Sequence, residues 1–299
     1  MKVLSSLQFI LSHPLNSVSI VSKAGALQRY VGWQLGSRLF GIRRVIPFVN
    51  DSKLVILKGR PSSTGNLYTR LYEFAEMGFV LHALRPGETF VDVGANIGAY
   101  SILAASLGDV TCIAFEPASD TFSLLLENIE LNSYSDRIEA KRNAVGAESG
   151  EVFLTSALDS VNHIASDADG DAQREAVPLT TLDSALAGRR PAVIKIDVEG
   201  YEAPVIEGAT DTLAAPECLA VIVEMNGSGM RYGLDEDLLD ATLRGKGFEP
   251  FSYDPLRREL VSVDAAGPPY NRIYIRDRSE IQQRLKSAKS FRLSGGWTI

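Results

Sequence analysis

Thr89-Phe90-Val91-Asp92-Val93 runs without a break into Gly94-Ala95-Asn96-Ile97-Gly98, and Ala99 to Leu107 follow with helical apolar spacing until Gly108-Asp109 ends them. A β-rich run, a glycine bend and a helix in immediate succession mark the first unit of an open α/β sheet. Ligands of such sheets bind beyond the carboxyl ends of the strands. Glycine there lets backbone approach a ligand closely, and the start of the helix offers free N–H groups. The bend therefore reads as a ligand site as well as a fold marker.

The alternation continues downstream. Val110–Phe115 reads as a second strand, Pro117 to Leu131 as a leucine-rich helix and Ile138–Val145 as a third strand. Glu151–Leu154 reads as a short hairpin partner, and the polar stretch 156–175, rich in Asp, Ala and Ser, as a long loop. A strand over Ala192–Ile196, a helix to about Leu213, a strand over Leu219–Glu224 and a helix from Asp235 to Lys246 follow. Phe248–Tyr253, Leu260–Val263 and Arg272–Ile275 are late strands. Upstream, Ser22–Leu39 and Tyr68–Leu84 have helical spacing, Leu54–Leu57 is a short β run and Pro61 to Gly65 a turn cluster. The expected architecture is α/β and Rossmann-like, with a mostly parallel seven-stranded sheet, an antiparallel edge strand and an N-terminal helical cover. Residues 1–67 form the lid segment, 68–276 the main domain and 277–299 a polar, mobile tail.

The bulk numbers are those of a globular chain: 299 residues, 45% hydrophobic and 22% charged. A formal net charge of −7 argues against a phosphate-backbone binder, so no nucleic-acid partner is expected. Cys112 and Cys218 sit in apolar runs and read as small buried hydrophobes; a reducing, cytoplasmic setting fits them. His13, His82 and His163 are far apart in sequence, and no metal site is expected. Residues 1–21 are broken by His13, Pro14 and Asn16, which excludes a signal peptide or a stable membrane insertion and leaves room for a short amphipathic docking segment.

The bend lacks the Gly-x-Gly-x-x-Gly spacing of a dinucleotide site, because Asn96 holds the middle position. Asp92 adds a carboxylate that would repel a pyrophosphate and attract a cationic, amino-acid-like ligand; S-adenosylmethionine carries both an ammonium and a sulfonium. Glu116, at the end of the second strand, is placed to accept hydrogen bonds from a ribose diol, worth roughly 1.5–3 kcal/mol each when charge-assisted. The order and spacing of the two features point to a nucleoside pocket.

The runs 92–101 (DVGANIGAYS), 115–117 (FEP), Asn128 with Leu131-Asn132, 181–183 (TLD) and 195–202 (KIDVEGYE) together resemble FkbM-type methyltransferases, over roughly residues 68–225. His13-Pro14-Leu15-Asn16 and Trp33-Gln34-Leu35 look like the upstream region of some members. The resemblance implies a Rossmann-like class I methyltransferase fold, S-adenosyl-L-methionine as cofactor and O-methylation of sugars, polyketides or other natural products. Carried over by position, Asp92, Gly94, Asn96 and Gly98 would line the methionine part of the cofactor, Glu116 would hold the ribose, and Asn143 and Ala144 would flank the adenine.

A hydroxyl acceptor gains from a base, typically about 10²–10⁴-fold. Asp197 and Glu199 lie beyond the fourth strand and Glu224 ends the next one. Asp197 is read as the acceptor's base or orienter and as a contact of the cofactor, with Glu199 and Glu224 in support; the alternative is that Glu199 and Glu202 only favour a helix start. His163, in the polar loop, is the other candidate base. The expected partner is a small-molecule or glycan acceptor, and nothing in the sequence fixes an oligomeric state. Two other readings remain open: a nucleoside-cofactor-binding protein without methyl transfer, and an NAD-type oxidoreductase.

Overall fold

In a computed structural model, residues 2–39, 43–58, 61–155, 163–165, 174–263 and 271–299 are described. The chain opens with helices α1 (Lys2–Ser12), α2 (Pro14–Ser17) and α3 (Ile20–Leu39), then the ribbon β1 (Arg43–Pro47) and β2 (Lys53–Leu57) and helices α4 (Pro61–Thr69) and α5 (Phe74–Ala83). The alternating part follows: β3 (Glu88–Val93), α6 (Ala99–Ala105), β4 (Val110–Phe115), α7 (Ser119–Leu131) and β5 (Ile138–Lys141). Next come β6 (Ala144–Val145), β7 (Gly150–Thr155), β8 (Arg174–Thr180), α8 (Leu182–Leu186), β9 (Val193–Ile196), α9 (Glu202–Glu207), α10 (Thr210–Ala214) and β10 (Ala220–Val223). The chain finishes with α11 (Glu236–Gly245), β11 (Glu249–Asp254), β12 (Glu259–Ser262), β13 (Arg272–Ile275), α12 (Arg278–Ser287), β14 (Arg292–Leu293) and β15 (Trp297–Thr298).

The main sheet runs β12-β11-β13-β10-β9-β3-β4-β5. Strands β5, β4, β3, β9 and β10 are parallel, and β13 is antiparallel to both its neighbours. The sheet thus has eight strands where seven were expected; its edge strand β12 is antiparallel, as expected, and a second antiparallel strand, β13, lies inside the sheet. Strand β12, expected over Leu260–Val263, follows a tight turn after β11 in which the Asp254 carboxylate accepts from the N–H groups of Leu256 and Arg257 at 2.9 and 3.1 Å. The expected third strand also divides. Its first half stays in the sheet as β5, while β6 leaves it and pairs with β8 in a separate sheet of order β6-β8-β7.

The period-2 alternation of β3 sorts the core. Phe90 joins one buried cluster with Leu71, Phe79 and Leu103, and Val91 and Val93 join another with Ile194, Ile196 and Phe248. Full burial of such a side chain contributes about 1.5–3 kcal/mol. Asp92 shares the Phe90 face and stands in register with Lys195 of the neighbouring strand β9.

Two other segments differ from expectation. Pro61 to Gly65, expected as a turn, begins α4; proline is well suited to a first helical position, where no N–H is needed. The segment 277–299 does not remain a polar tail. Asp277 caps α12 by accepting from Ser279 and Glu280 N–H at 2.9 and 3.0 Å, and Ile281 and Leu285 of that helix are fully buried. Beyond it, Arg70 donates to the Ser294 carbonyl at 2.8 Å. Most of the stretch 156–175, expected as a loop, lies outside the described residues; within it His163–Ala165 and the start of β8 are placed. None of the described helices is long and apolar enough to cross a membrane.

Candidate active site

A cavity of about 700 Å³ opens at the carboxyl ends of β3, β4, β9 and β10, in the size range of small-molecule sites. Strand β3 continues to β4 on one side and is flanked by β9 on the other, so the cavity sits where the strand order reverses.

The bend after β3 forms one wall. Gly94 has φ +80°, and a Cβ there would lie 1.8 Å from the Asp197 carbonyl oxygen. The N–H groups of Gly94 and Ala95 both donate to the Phe115 carbonyl at 2.9 Å. Asn96 is left-handed at φ +52°, and its N–H donates to Glu116 Oε2 at 2.8 Å. The other Glu116 oxygen accepts from Ala118 N–H at 3.0 Å. Glu116 is buried and lines the cavity with Gly94, Asn96, Asn143 and Ala144. Its two carboxylate oxygens are acceptors of the kind a ribose diol would donate to.

Asp92 and Gly98 lie behind this wall. The face of β3 that carries Asp92 looks at α6, and Ser101 Oγ donates to Asp92 Oδ2 at 2.6 Å. Burial raises the Asp92 carboxyl above its usual range, with the Lys195 ammonium opposing the shift. Asp92 does not line the cavity, and the cation that acts on it is Lys195. Gly98, at φ +84°, is a packing glycine: a Cβ would come within 2.5 Å of Leu125. Asn128 of α7 fixes the bend from outside, donating to the Ile97 carbonyl at 2.8 Å and accepting from Val55 N–H at 2.7 Å.

The opposite wall is acidic. Carboxylate oxygens of Asp197, Glu199 and Glu224 lie within 4.8 Å of one another. Lys195 Nζ pairs with Asp197 Oδ2 at 2.7 Å and sits 4.7 Å from the Tyr100 ring centroid. Burial opposes the Lys195 charge, but Asp197, Glu73 and Asp92 outweigh it and hold the ammonium above the usual lysine range. Glu199, at φ +55°, is raised to about 7 by burial and by the charges of Asp197 and Glu202. Glu224 is pushed well above the carboxylate range by burial and the same acidic neighbours, and its buried Oε2 has no hydrogen-bond partner. Glu199 does not start α9. That structural role belongs to Glu202, whose Oε1 accepts from Val198 and Gly200 N–H at 3.0 and 3.1 Å. The sequence expectation of no metal rested on the scattered histidines and on an acidic cluster explained without one; three carboxylates do come together, with the oxygen donors a hard cation takes.

His163 also lines the cavity, its backbone tied to Thr155. His82 is elsewhere, fully buried and 2.7 Å from the Tyr253 hydroxyl. The sequence reading missed Glu73 and Glu76 on the cavity wall. Glu73 accepts from the Tyr100 hydroxyl at 2.6 Å and from Asn271 Nδ2 at 3.0 Å. Glu76 is raised to about 7 by burial and by Glu73. Their sequence signal was two acids at the head of an otherwise apolar helix.

A Rossmann-like sheet, a glycine bend at its switch point and a glutamate ending the next strand define the S-adenosylmethionine-dependent methyltransferase class. The chain matches the methyltransferase FkbM domain over residues 92–250, more than half its length, and it belongs to that family. S-adenosylmethionine is the cofactor of this domain, and the bend, the buried Glu116 carboxylate on the cavity wall and the cavity volume fit it.

Among curated relatives, the hexuronic acid methyltransferase AglP of Haloferax volcanii is 31% identical over 141 residues, covering 45% of this chain and 54% of that protein. Methyltransferase 1 of Beauveria bassiana is 28% identical over 151 residues, 42% of this chain and 60% of that protein. The chain thus spans little more than half the length of these relatives. A solved Streptococcus pneumoniae putative tRNA (m1A22) methyltransferase in complex with S-adenosyl-L-methionine is similar over 69% of this chain and 77% of that one, at 16% identity and a TM-score of 0.40.

Proposed function

We propose that this protein methylates a hydroxyl group of a sugar or another small natural-product acceptor. The observation that carries the reading is the crowd of carboxylates facing the cofactor wall across one cavity, with Glu199 poised near neutrality. S-adenosylmethionine, when bound, supplies an activated methyl group, so the residues mainly align the acceptor and manage its proton. Gly94, Asn96 and Glu116 hold the cofactor, with Asn143 and Ala144 beside it. Lys195 fixes Asp197, which orients the acceptor hydroxyl. Glu199 would accept the hydroxyl proton at a carboxylate oxygen, while the methyl that the bound cofactor would supply leaves its sulfonium, whose S–CH₃ bond breaks to give the neutral thioether S-adenosylhomocysteine; a base with a pKa near working pH is best matched to taking that proton. The printed name of the Haloferax relative, a hexuronic acid methyltransferase, supports a sugar acceptor.

The test is a labelled-methyl transfer screen over glycans, free hexuronic acids and natural-product alcohols, with nucleic acid as a contrasting acceptor. Label in an O-methyl ether of a sugar or natural product supports the reading. Label in nucleic acid alone, or in none of the acceptors despite measurable cofactor binding, overturns it.

A further inference from the structure

The outer face of α3 is apolar where a surface helix is ordinarily polar. Ala26, Trp33 and Ser37 face the protein, and Arg29 ties the helix down by donating to Asn16 Oδ1 at 3.0 Å and to the Tyr68 carbonyl at 2.8 Å. On the far side stand Ile20, Val21, Leu27, Val31, Leu35 and Leu39, between 43% and 86% exposed. At 100° per residue they form one broad stripe along the full helix, interrupted by few polar side chains. A contiguous exposed apolar face of this kind marks an interaction surface rather than chance exposure.

Charge identifies the occupant. Residues 1–50 contain six lysines and arginines (Lys2, Lys23, Arg29, Arg38, Arg43 and Arg44) and no aspartate or glutamate, in a chain whose totals are 30 basic and 37 acidic. Lys23 and Arg38 are exposed on α3 itself, and Arg44 is exposed on the adjoining β1. A second copy of the chain offering the same face would bring cations against cations. An anionic lipid surface meets both features at once: acyl chains take the apolar stripe and headgroups take the cations. The helix is too polar overall to span a bilayer, which leaves it lying in the interface.

We infer that α3 docks this protein peripherally onto an anionic membrane surface. The full chain is sedimented with vesicles of phosphatidylglycerol and phosphatidylcholine, and with phosphatidylcholine vesicles alone. Binding to the anionic vesicles should exceed binding to the neutral ones by about tenfold or more, and should fall steeply as salt rises toward 1 M, where the screening length is about 3 Å. The double variant Val31→Asp, Leu35→Asp should lose it by a similar factor. Both positions point to solvent, so cofactor affinity and thermal melting should not change. A second variant, Lys23→Glu with Arg38→Glu, tests the charges separately and should abolish the anionic preference. Equal binding to both vesicle types, binding indifferent to both variants, or a dimer in light scattering that the aspartate variant dissociates would overturn the inference.

Discussion

The two walls of the cavity are built on opposite principles. On the cofactor wall, conformation is fixed by backbone: the bend is left-handed at Gly94, Asn96 and Gly98, its N–H groups are taken by Phe115 and Glu116, and Asn128 clamps it from behind. On the acidic wall, charge is the organising quantity. Glu76, Glu199 and Glu224 are all raised by burial and by acidic neighbours, Glu73 beside Glu76 and Asp197 with Glu202 beside the other two, with Lys195 as their buried counter-ion. The first wall tolerates no added atom; the second is sensitive to each added or removed proton.

This contrast can be broken or sharpened by substitution. The largest effect belongs to Gly94→Ala, where the new methyl would collide with the Asp197 carbonyl at a φ that disfavours any side chain. Cofactor affinity should fall by more than about 10³-fold or the domain should fail to fold, read by calorimetric titration with S-adenosylhomocysteine and by thermal melting. Asp197→Asn should lower kcat by about 10²-fold or more while leaving the fold intact, because Lys195 loses its partner and the acceptor its orienting charge. Near-normal turnover in this variant would remove Asp197 from the mechanism.

Glu116→Gln should weaken cofactor binding by roughly 10–100-fold, corresponding to one charge-assisted hydrogen bond or two, with little change in acceptor KM. In the pH profile, the rate should rise as pH passes through about 7, where Glu199 loses its proton, and then level off; Glu199→Gln should flatten that rise. A rise that persists unchanged in the variant would assign the proton to another group.

The smallest effect is on stability. Glu76 titrates near 7 when folded and about 4.5 when unfolded, so the folded state binds the extra proton between those values. Its contribution is complete below pH 4.5 and is lost as pH rises through 7. Relative to wild type, Glu76→Gln should therefore gain about 2–3 kcal/mol between pH 5 and pH 8 in denaturant titrations.

The cofactor wall was readable in the sequence because local rules build it. A strand, a glycine bend and a helix follow one another within about a dozen residues, and Glu116 ends the very next strand. The orientation of Asp92 was not readable, since period 2 says only that it shares a face with Phe90, not which face the cavity takes. The acidic wall was legible only in part. Asp197, Glu199 and Glu224 fall at strand ends, but Glu73 and Glu76 reach them from α5, more than a hundred residues earlier, and that juxtaposition exists only after the sheet has closed. The departure of β6 escaped for a similar reason, because it depends on a partner strand rather than on its own residues. Several motif residues turned out to be joinery. Thr181 caps α8 by accepting from Ser184 N–H at 3.1 Å, and the Asp183 carboxylate accepts from Asp211 and Thr212 N–H at 2.9 and 2.8 Å.

One of those joints links distant parts of the chain. The carboxamide of Asn128 holds Val55 of the N-terminal ribbon with one end and Ile97 of the bend with the other. A rigid planar group of that size transmits displacement rather than absorbing it. A displacement of β2 would therefore be carried to the nucleoside's seat through this one side chain.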